Sequence, residues 1–126
     1  MKKVHLTTKA PAPIGPYSQA IQAGKTLYIS GQIPIDPATN ELISGTIEEE
    51  THQVLKNIGE ILAAAELTYE HVVSCTVYIR DMNEFSKINA VYAQYFSSDT
   101  PPARATVQVS GLPKNVNIEI GAIAHI

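Results

Sequence analysis

The spacing of apolar and polar positions changes period several times along the chain, and each change marks an element. Val4 to Thr7 reads as a short edge strand. Ser18 to Gln22 and Thr26 to Ser30, separated by Ala23-Gly24-Lys25, read as a hairpin. From Ile47 the period lengthens to that of a helix, with Ile47, Val54, Leu55, Ile58, Ile61, Leu62 and Ala65 on one stripe. Thr46 and Glu49 ahead of it have the spacing of a capping box, a hydroxyl to cap the first turn and a carboxylate to reach back. Gly59 inside this helix costs about 1 kcal/mol relative to Ala, which points to a close neighbour at that turn. Val72 to Arg80 alternates, placing Val73, Cys75, Val77 and Ile79 on one face. Asp81-Met82-Asn83-Glu84 repeats the capping pattern before a second helix striped by Phe85, Ile88, Tyr92, Tyr95 and Phe96. Two strands close the chain, Arg104 to Val109 and Val116 to Ile126.

Strands, helix, strand, helix and strands make an α+β fold, with both helices expected on one face of a mixed sheet. Gly and Pro cluster at Pro11 to Pro16, from Gly31 to Gly45 and at Pro101-Pro102, as punctuation within one domain spanning 1–126. Alternation sends Ala105, Val107 and Val109 one way and Arg104, Thr106, Gln108 and Ser110 the other. In the last strand Ile118, Ile120, Ala122 and Ala124 oppose Asn117, Glu119, Gly121 and Ile123. With the apolar faces under the helices, the uncovered face carries Ser74, Thr76, Tyr78, Thr106 and Gln108. It is polar yet poor in charge, which suits a subunit interface better than a solvated surface.

Composition narrows the function classes. The 126 residues are 44% hydrophobic and 17% charged, ordinary for a globular domain. A net charge of −3 with no basic, aromatic-rich stripe argues against nucleic acid as the ligand. Cys75 is the single cysteine, so neither an intrachain disulfide nor a multi-cysteine zinc site can form. Alternating with Val73 and Val77, it reads as a buried structural thiol. His5, His52, His71 and His125 lack metal-ligand spacing, and Glu48-Glu49-Glu50 fits the positive end of its helix without a ligand. No secretory or membrane-spanning pattern is present, so a soluble cytoplasmic protein is expected.

Arginine occurs at positions 80 and 104 alone. Arg80 closes its strand and reads as a surface residue. Arg104 and Glu119 are each the one charged side chain within their strand, and the alternation puts both on the uncovered face. Two readings stand: a salt bridge at an interface, or a guanidinium that holds a substrate carboxylate with an acid or base beside it.

Several segments in register resemble one family: Ala12-Pro13-Ile14-Gly15-Pro16-Tyr17-Ser18-Gln19-Ala20, Ile29-Ser30-Gly31-Gln32-Ile33-Pro34, Pro102-Ala103-Arg104-Ala105-Thr106-Val107, Leu112-Pro113-Lys114 and Ile118-Glu119-Ile120. Together they resemble the Rid (reactive intermediate deaminase, YjgF) family over essentially the whole chain. The resemblance implies a chorismate-mutase-like fold, a homotrimer and ligand sites in the clefts between subunits. It also implies hydrolysis of enamines and imines, such as 2-iminobutanoate and 2-iminopropanoate released by pyridoxal-phosphate dehydratases, to 2-keto acids and ammonia. By that resemblance Arg104 binds the substrate carboxylate, Glu119 is the acidic residue and Tyr17 is the active-site tyrosine. Ser30, Gly31, Asn89 and Thr106 fall at substrate-binding positions. Thr106 stands where some members carry cysteine, and Gly121 where a second acid is common.

Imine hydrolysis needs the anion held, the nitrogen protonated and a water placed; no metal or cofactor is expected for it. Glu119 would orient or deprotonate that water, or return a proton to an enamine carbon. An arginine beside Glu119 would lower its pKa and burial would raise it. Tyr17 also reads as an interface aromatic. Asn89, four residues after Phe85, also reads as a core or interface asparagine on the buried side of its helix. A non-catalytic module binding small carboxylates, or a regulatory partner protein on the same fold, is the alternative function. Ribonuclease activity fits the charge least.

Overall fold

A computed structural model describes residues 1–126. The strands are β1 (Lys2–His5), β2 (Ala20–Ala23), β3 (Thr26–Gln32), β4 (Ile35–Asp36), β5 (Glu41–Leu42), β6 (Val72–Ile79), β7 (Ala103–Gln108) and β8 (Ile118–His125). The helices are α1 (Ile47–Ala64) and α2 (Phe85–Tyr95). Six strands form one sheet in the order β1-β2-β3-β8-β6-β7, while β4 and β5 make a separate small hairpin. β6 and β7 run parallel, joined through α2, and every other pair in the sheet is antiparallel. The α+β expectation, two helices over a mixed sheet, is the architecture observed. The β4–β5 hairpin lies in what the sequence marks only as a long loop; strands this short carry no readable alternation.

α1 begins as its sequence dictates. Thr46 Oγ1 accepts from the Glu49 N–H at 3.2 Å, and the Glu49 carboxylate accepts from the Thr46 N–H. Val54, Leu55, Ile58, Ile61 and Leu62 are fully buried against the sheet, and burying each such side chain contributes about 2 kcal/mol. Gly59 marks the close approach expected there. A Cβ at this position would collide with the Tyr69 hydroxyl, which donates to the Leu55 carbonyl at 2.6 Å. Of the acidic run, Glu50 is turned inward. Its carboxylate accepts from the Asn117 backbone N–H at 3.4 Å and from Asn117 Nδ2 at 2.9 Å, tying the helix to the start of β8.

In β6 and β8 the apolar positions Cys75, Val77, Ile79, Ile118, Ile120, Ala122 and Ala124 all face the helices. Three local readings are corrected. The register slips between Val72 and Ser74, so Val72 takes the buried place and Val73 turns outward, half exposed. α2 does not start directly from a capping box. Asp81 accepts from the Asn83 N–H at 2.9 Å to cap a single 3-10 turn, Met82–Glu84, from which α2 continues. β7 has the opposite phase from the one assigned by hydrophobicity. Its residues Arg104, Thr106 and Gln108 stand beside Cys75, Val77 and Ile79 of β6, on the helix side. Gln108 Oε1 accepts from the Met82 N–H at 2.8 Å, so this polar side chain is used to seat the turn before α2. β7 is an edge strand and its residues are largely exposed on both faces, which weakens any inward–outward pattern. The uncovered sheet face therefore presents Ser74, Thr76 and Tyr78 as expected, but Val107 in place of Thr106 and Gln108. Tyr28 and Val107, at 49% and 40% exposure, add apolar surface to it.

Candidate active site

Two separate groups of the expected residues form, and each is built by a different part of the chain. The first is a cavity of about 360 Å³ lined by Ile14, Tyr17, Ser30, Gly31, Ile33, Pro113 and Glu119. Its floor is an irregularity in β3. Ile29 pairs with Ala122 and Gln32 with Ile120, leaving Ser30 and Gly31 opposite Gly121 alone. Such a bulge bends the strand and re-aims its side chains. The Ser30 hydroxyl donates to the Ser18 carbonyl at 2.6 Å, and the Ser30 N–H to the Gln19 carbonyl at 2.9 Å, fixing the segment that carries Tyr17. Ser30 is thus first of all a tie that holds Tyr17 in place.

Gln19, which the sequence reading did not single out, completes that tie. Gln19 is buried at 1% exposure, and its Nε2 donates to the carbonyls of Thr7, Ala10 and Pro11 at 3.0, 3.2 and 2.8 Å. Its oxygen accepts from the Thr7 N–H at 2.8 Å. The segment from Thr7 to Pro11 is thereby strapped to the body, and Ile14 and Tyr17 stand just beyond it. The Tyr17 hydroxyl accepts from the Ile14 N–H at 3.2 Å, while its ring remains half exposed at the cavity.

The Glu119 carboxylate lies across Gly31. A Cβ on residue 31 would run into Oε2 and stand 2.8 Å from Cδ, so glycine is what makes room for it. Burial pushes the Glu119 pKa above the ordinary carboxylate range. Burial and not arginine decides the direction, because Arg104 is on the other face of the sheet. Glu119 is registered with Tyr78 of β6 and Arg104 with Cys75, residues of opposite orientation in one strand. The expectation that Arg104 and Glu119 share a face is overturned, and with it a salt bridge between them within one chain.

Arg104 forms the second group. Its Nη1 donates to Asn89 Oδ1 at 2.7 Å, and its guanidinium lies 4.7 Å from the Tyr92 ring centroid and 5.6 Å from that of Phe85. Such cation–π contacts hold a guanidinium without using up its N–H donors. Asn89 is exposed at the flank of α2, which corrects its assignment to the buried side. It meets Arg104 because β7 passes along that flank. Thr106 follows on the same side of β7 and is half buried. The helical stripe marks Phe85 and Tyr92 as core residues alone, yet one face of each serves Arg104.

Other features do not enter these groups. A hollow of about 440 Å³ at the start of α1 includes Glu48, Glu50, Asp81, Glu84 and Lys87. Its inward carboxylate Glu50 is bonded to Asn117, and Glu84 is 3.7 Å from Lys87. No group of His, Cys, Asp and Glu is placed to hold a metal ion. Cys75 is buried, which pushes its thiol pKa up. No helix is long and apolar enough to cross a membrane.

Comparison with known proteins decides the family. The family model described as Endoribonuclease L-PSP matches residues 7–126. The crystal structure of the Rid-family protein YyfA from Yersinia pestis superimposes with a TM-score of 0.97 at 48% identity, over 100% of both chains. The chain belongs to the Rid family. A RutC family protein of Pyrococcus horikoshii is 57% identical over 99% of this Rid chain and 98% of its own length. The human protein named 2-iminobutanoate/2-iminopropanoate deaminase is 51% identical over 98% of this chain and 90% of its own. The names carried by these Rid relatives differ, so the family is common ground and the reaction is argued from the site.

Proposed function

We propose that this Rid protein is an enamine/imine deaminase that hydrolyses small 2-imino acids, of the 2-iminobutanoate and 2-iminopropanoate type, to 2-keto acids and ammonia. The observation that carries this reading is the state of Arg104. It is oriented by Asn89 and two rings, yet it has no carboxylate partner in the chain. A planar fork held this way, with donors to spare, suits a ligand carboxylate. The name of the human relative, at 51% identity, supports the same reaction class.

The active site is assembled between two copies of the chain. One contributes the cavity with Tyr17, Gly31 and Glu119; the other contributes Arg104 and Thr106 from the edge strand and Asn89 from α2. The half-apolar uncovered sheet face supports the association, and a homotrimer with three equivalent clefts is the closed arrangement expected of such head-to-tail contacts. Arg104 holds the carboxylate, and the apolar wall of Ile14, Ile33 and Pro113 takes the short aliphatic chain. Glu119, with its pKa raised, is the proton donor to the imine nitrogen. Water then adds to the C=N carbon and gives Glu119 back a proton. The resulting carbinolamine loses ammonia as its oxygen becomes the keto oxygen. In an enamine, the same carboxyl group delivers the proton to the terminal carbon first. Tyr17 borders the cavity and closes it around the substrate.

The test generates 2-imino acids in situ with an amino-acid oxidase and follows keto-acid formation against semicarbazide as a competing trap. Faster keto-acid formation than the trap allows supports the deaminase. Binding of 2-ketobutanoate without any such gain favours the alternative, a carboxylate-binding module, which needs Arg104 but not Glu119.

A further inference from the structure

Arg80 reads from the sequence as a plain surface residue, yet its guanidinium is committed. Nη1 donates to Asn115 Oδ1 at 3.0 Å and to the Asn115 carbonyl oxygen at 3.3 Å. Its backbone N–H, just past the end of β6, donates to the Asn117 carbonyl at 3.1 Å. The segment it grips has an unusual backbone. Lys114 and Asn115 are consecutive non-glycine residues with φ of 54° and 62°. Left-handed backbone crowds Cβ against the following carbonyl and is visited singly by Asn, seldom by Lys and seldom twice in succession. Two such residues persist only where the surroundings impose them.

The imposed turn has a geometric result. Pro113, before it, lines the cavity with Ile14, Tyr17 and Glu119. Val116, after it, is buried with Ile33 and Ile35. The chain must reverse between a cavity wall and an anchor point within three residues, and the left-handed pair accomplishes this. Backbone bonds from Asn115 N–H to the Leu112 carbonyl at 3.0 Å and from Val116 N–H to the Pro113 carbonyl at 3.3 Å close the turn. Arg80 is the one side chain bonded to it from outside, and Arg80 does not itself line the cavity.

We infer that Arg80 is a positioning residue for the substrate cavity: by holding Asn115 it keeps the turn left-handed and Pro113 in the wall. This rests on the reading of the cavity as the substrate site. Arg80 acts through the turn, so its loss weakens substrate binding more than it slows the chemical step.

The experiment compares wild type, Arg80→Ala and Arg80→Ala/Asn115→Gly by amide hydrogen exchange and by steady-state kinetics on 2-iminobutanoate. In Arg80→Ala, exchange at Asn115 and Val116 rises about tenfold, the loss of hydrogen bonds of ordinary strength. KM rises about three- to tenfold with kcat nearly unchanged. Asn115→Gly removes the steric cost of left-handed backbone at 115, so the double variant regains most of the lost affinity. Unchanged exchange overturns the inference, because the turn then does not depend on Arg80. Faster exchange with unaltered KM also overturns it, since the turn then does not govern the wall. A raised KM that glycine fails to rescue assigns Arg80 an effect through charge and overturns it as well. If wild type hydrolyses no imino acid, the deaminase reading fails separately, and the comparison is made on Kd for 2-ketobutanoate by NMR titration. An unaltered Kd, or no binding by wild type, overturns the inference in that case.

Discussion

Arg104 and Glu119 occupy opposite faces of one sheet, Arg104 next to Cys75 under the helices and Glu119 next to Tyr78 on the uncovered side. The two residues best equipped to handle a small anionic electrophile therefore cannot act on the same molecule within a single chain. Either they serve different purposes, or the sheet face of one copy receives the edge strand of the next. The second arrangement gives Arg104 a reason to be held by Asn89 and Tyr92 while lacking a carboxylate.

A shared site predicts complementation. Arg104→Ala and Glu119→Gln are each expected to lose imino-acid hydrolysis while folding normally. Mixed by unfolding and refolding together at equal amounts, they regain about one quarter of wild-type activity, the chance that a given cleft draws an intact residue from each neighbour. No recovery, in a mixture that light scattering shows to be a single oligomer, would mean that the site does not span copies.

Glu119 also predicts a pH dependence. Its pKa is higher in the folded chain than in the unfolded one because burial penalises the charged form. The folded state thus binds this proton more tightly, so the contribution is fully present below the ordinary carboxylate pKa and is lost as pH rises through the folded value. Glu119→Gln, which stays neutral, is expected to be more stable than wild type at neutral pH, with the difference vanishing below about pH 4. Urea unfolding across that range checks it. Activity falls at least about 100-fold in the same variant, the usual scale of a lost general acid.

Gly31→Ala separates activity from folding. The new methyl meets the end of the Glu119 side chain, which moves aside at little cost to the fold. A displaced carboxyl group lowers kcat by about tenfold to 100-fold, while the melting temperature stays close to wild type. A large loss of thermal stability would show that the glycine is needed by the bulge itself.

Gly59→Ala has the opposite signature. Alanine favours the helix by about 1 kcal/mol, but its methyl meets the Tyr69 hydroxyl, which is bonded to Leu55 and whose ring is packed edge-on against Tyr95 and Phe96. Displacing the tyrosine breaks that bond and disturbs those ring contacts, so the variant is destabilised by about 1–3 kcal/mol, the range for overpacking. Urea unfolding is the measurement, and activity per folded molecule remains unchanged.

What could be read in advance follows from how strongly each position is constrained. α1, β6 and β8 are buried on one side, so their hydrophobic period is imposed by the core and is legible in Leu55, Ile58, Val77 and Ile120. The capping box at Thr46 and Glu49 and the close approach at Gly59 are local or steric rules and were equally plain. β7 misled because an edge strand with little buried surface has no apolar side to declare itself. Ala105 and Val107 look like core residues but face outward, while Arg104 lies against the helix through its rings. The roles of Gln19 and Arg80 are not legible, since each bonds to a segment some way along the chain, Gln19 to carbonyls of 7–11 and Arg80 to Asn115. No pattern in the neighbouring residues reveals such a partner.

The place of β8 has a consequence for how the molecule comes into being. It is the last strand along the chain and the central one in the sheet, flanked by β3 and β6. Until it pairs, β1-β2-β3 and β6-β7 are two disconnected ribbons with open edges, and all the closing contacts are between residues distant in sequence, the kind that form late. A growing polypeptide holds these ribbons apart and exposed until its final strand has been made. Glu119 travels on that strand, so the carboxyl group of the cavity is installed by the same event that completes the sheet, and no chain that stops short of β8 carries the site.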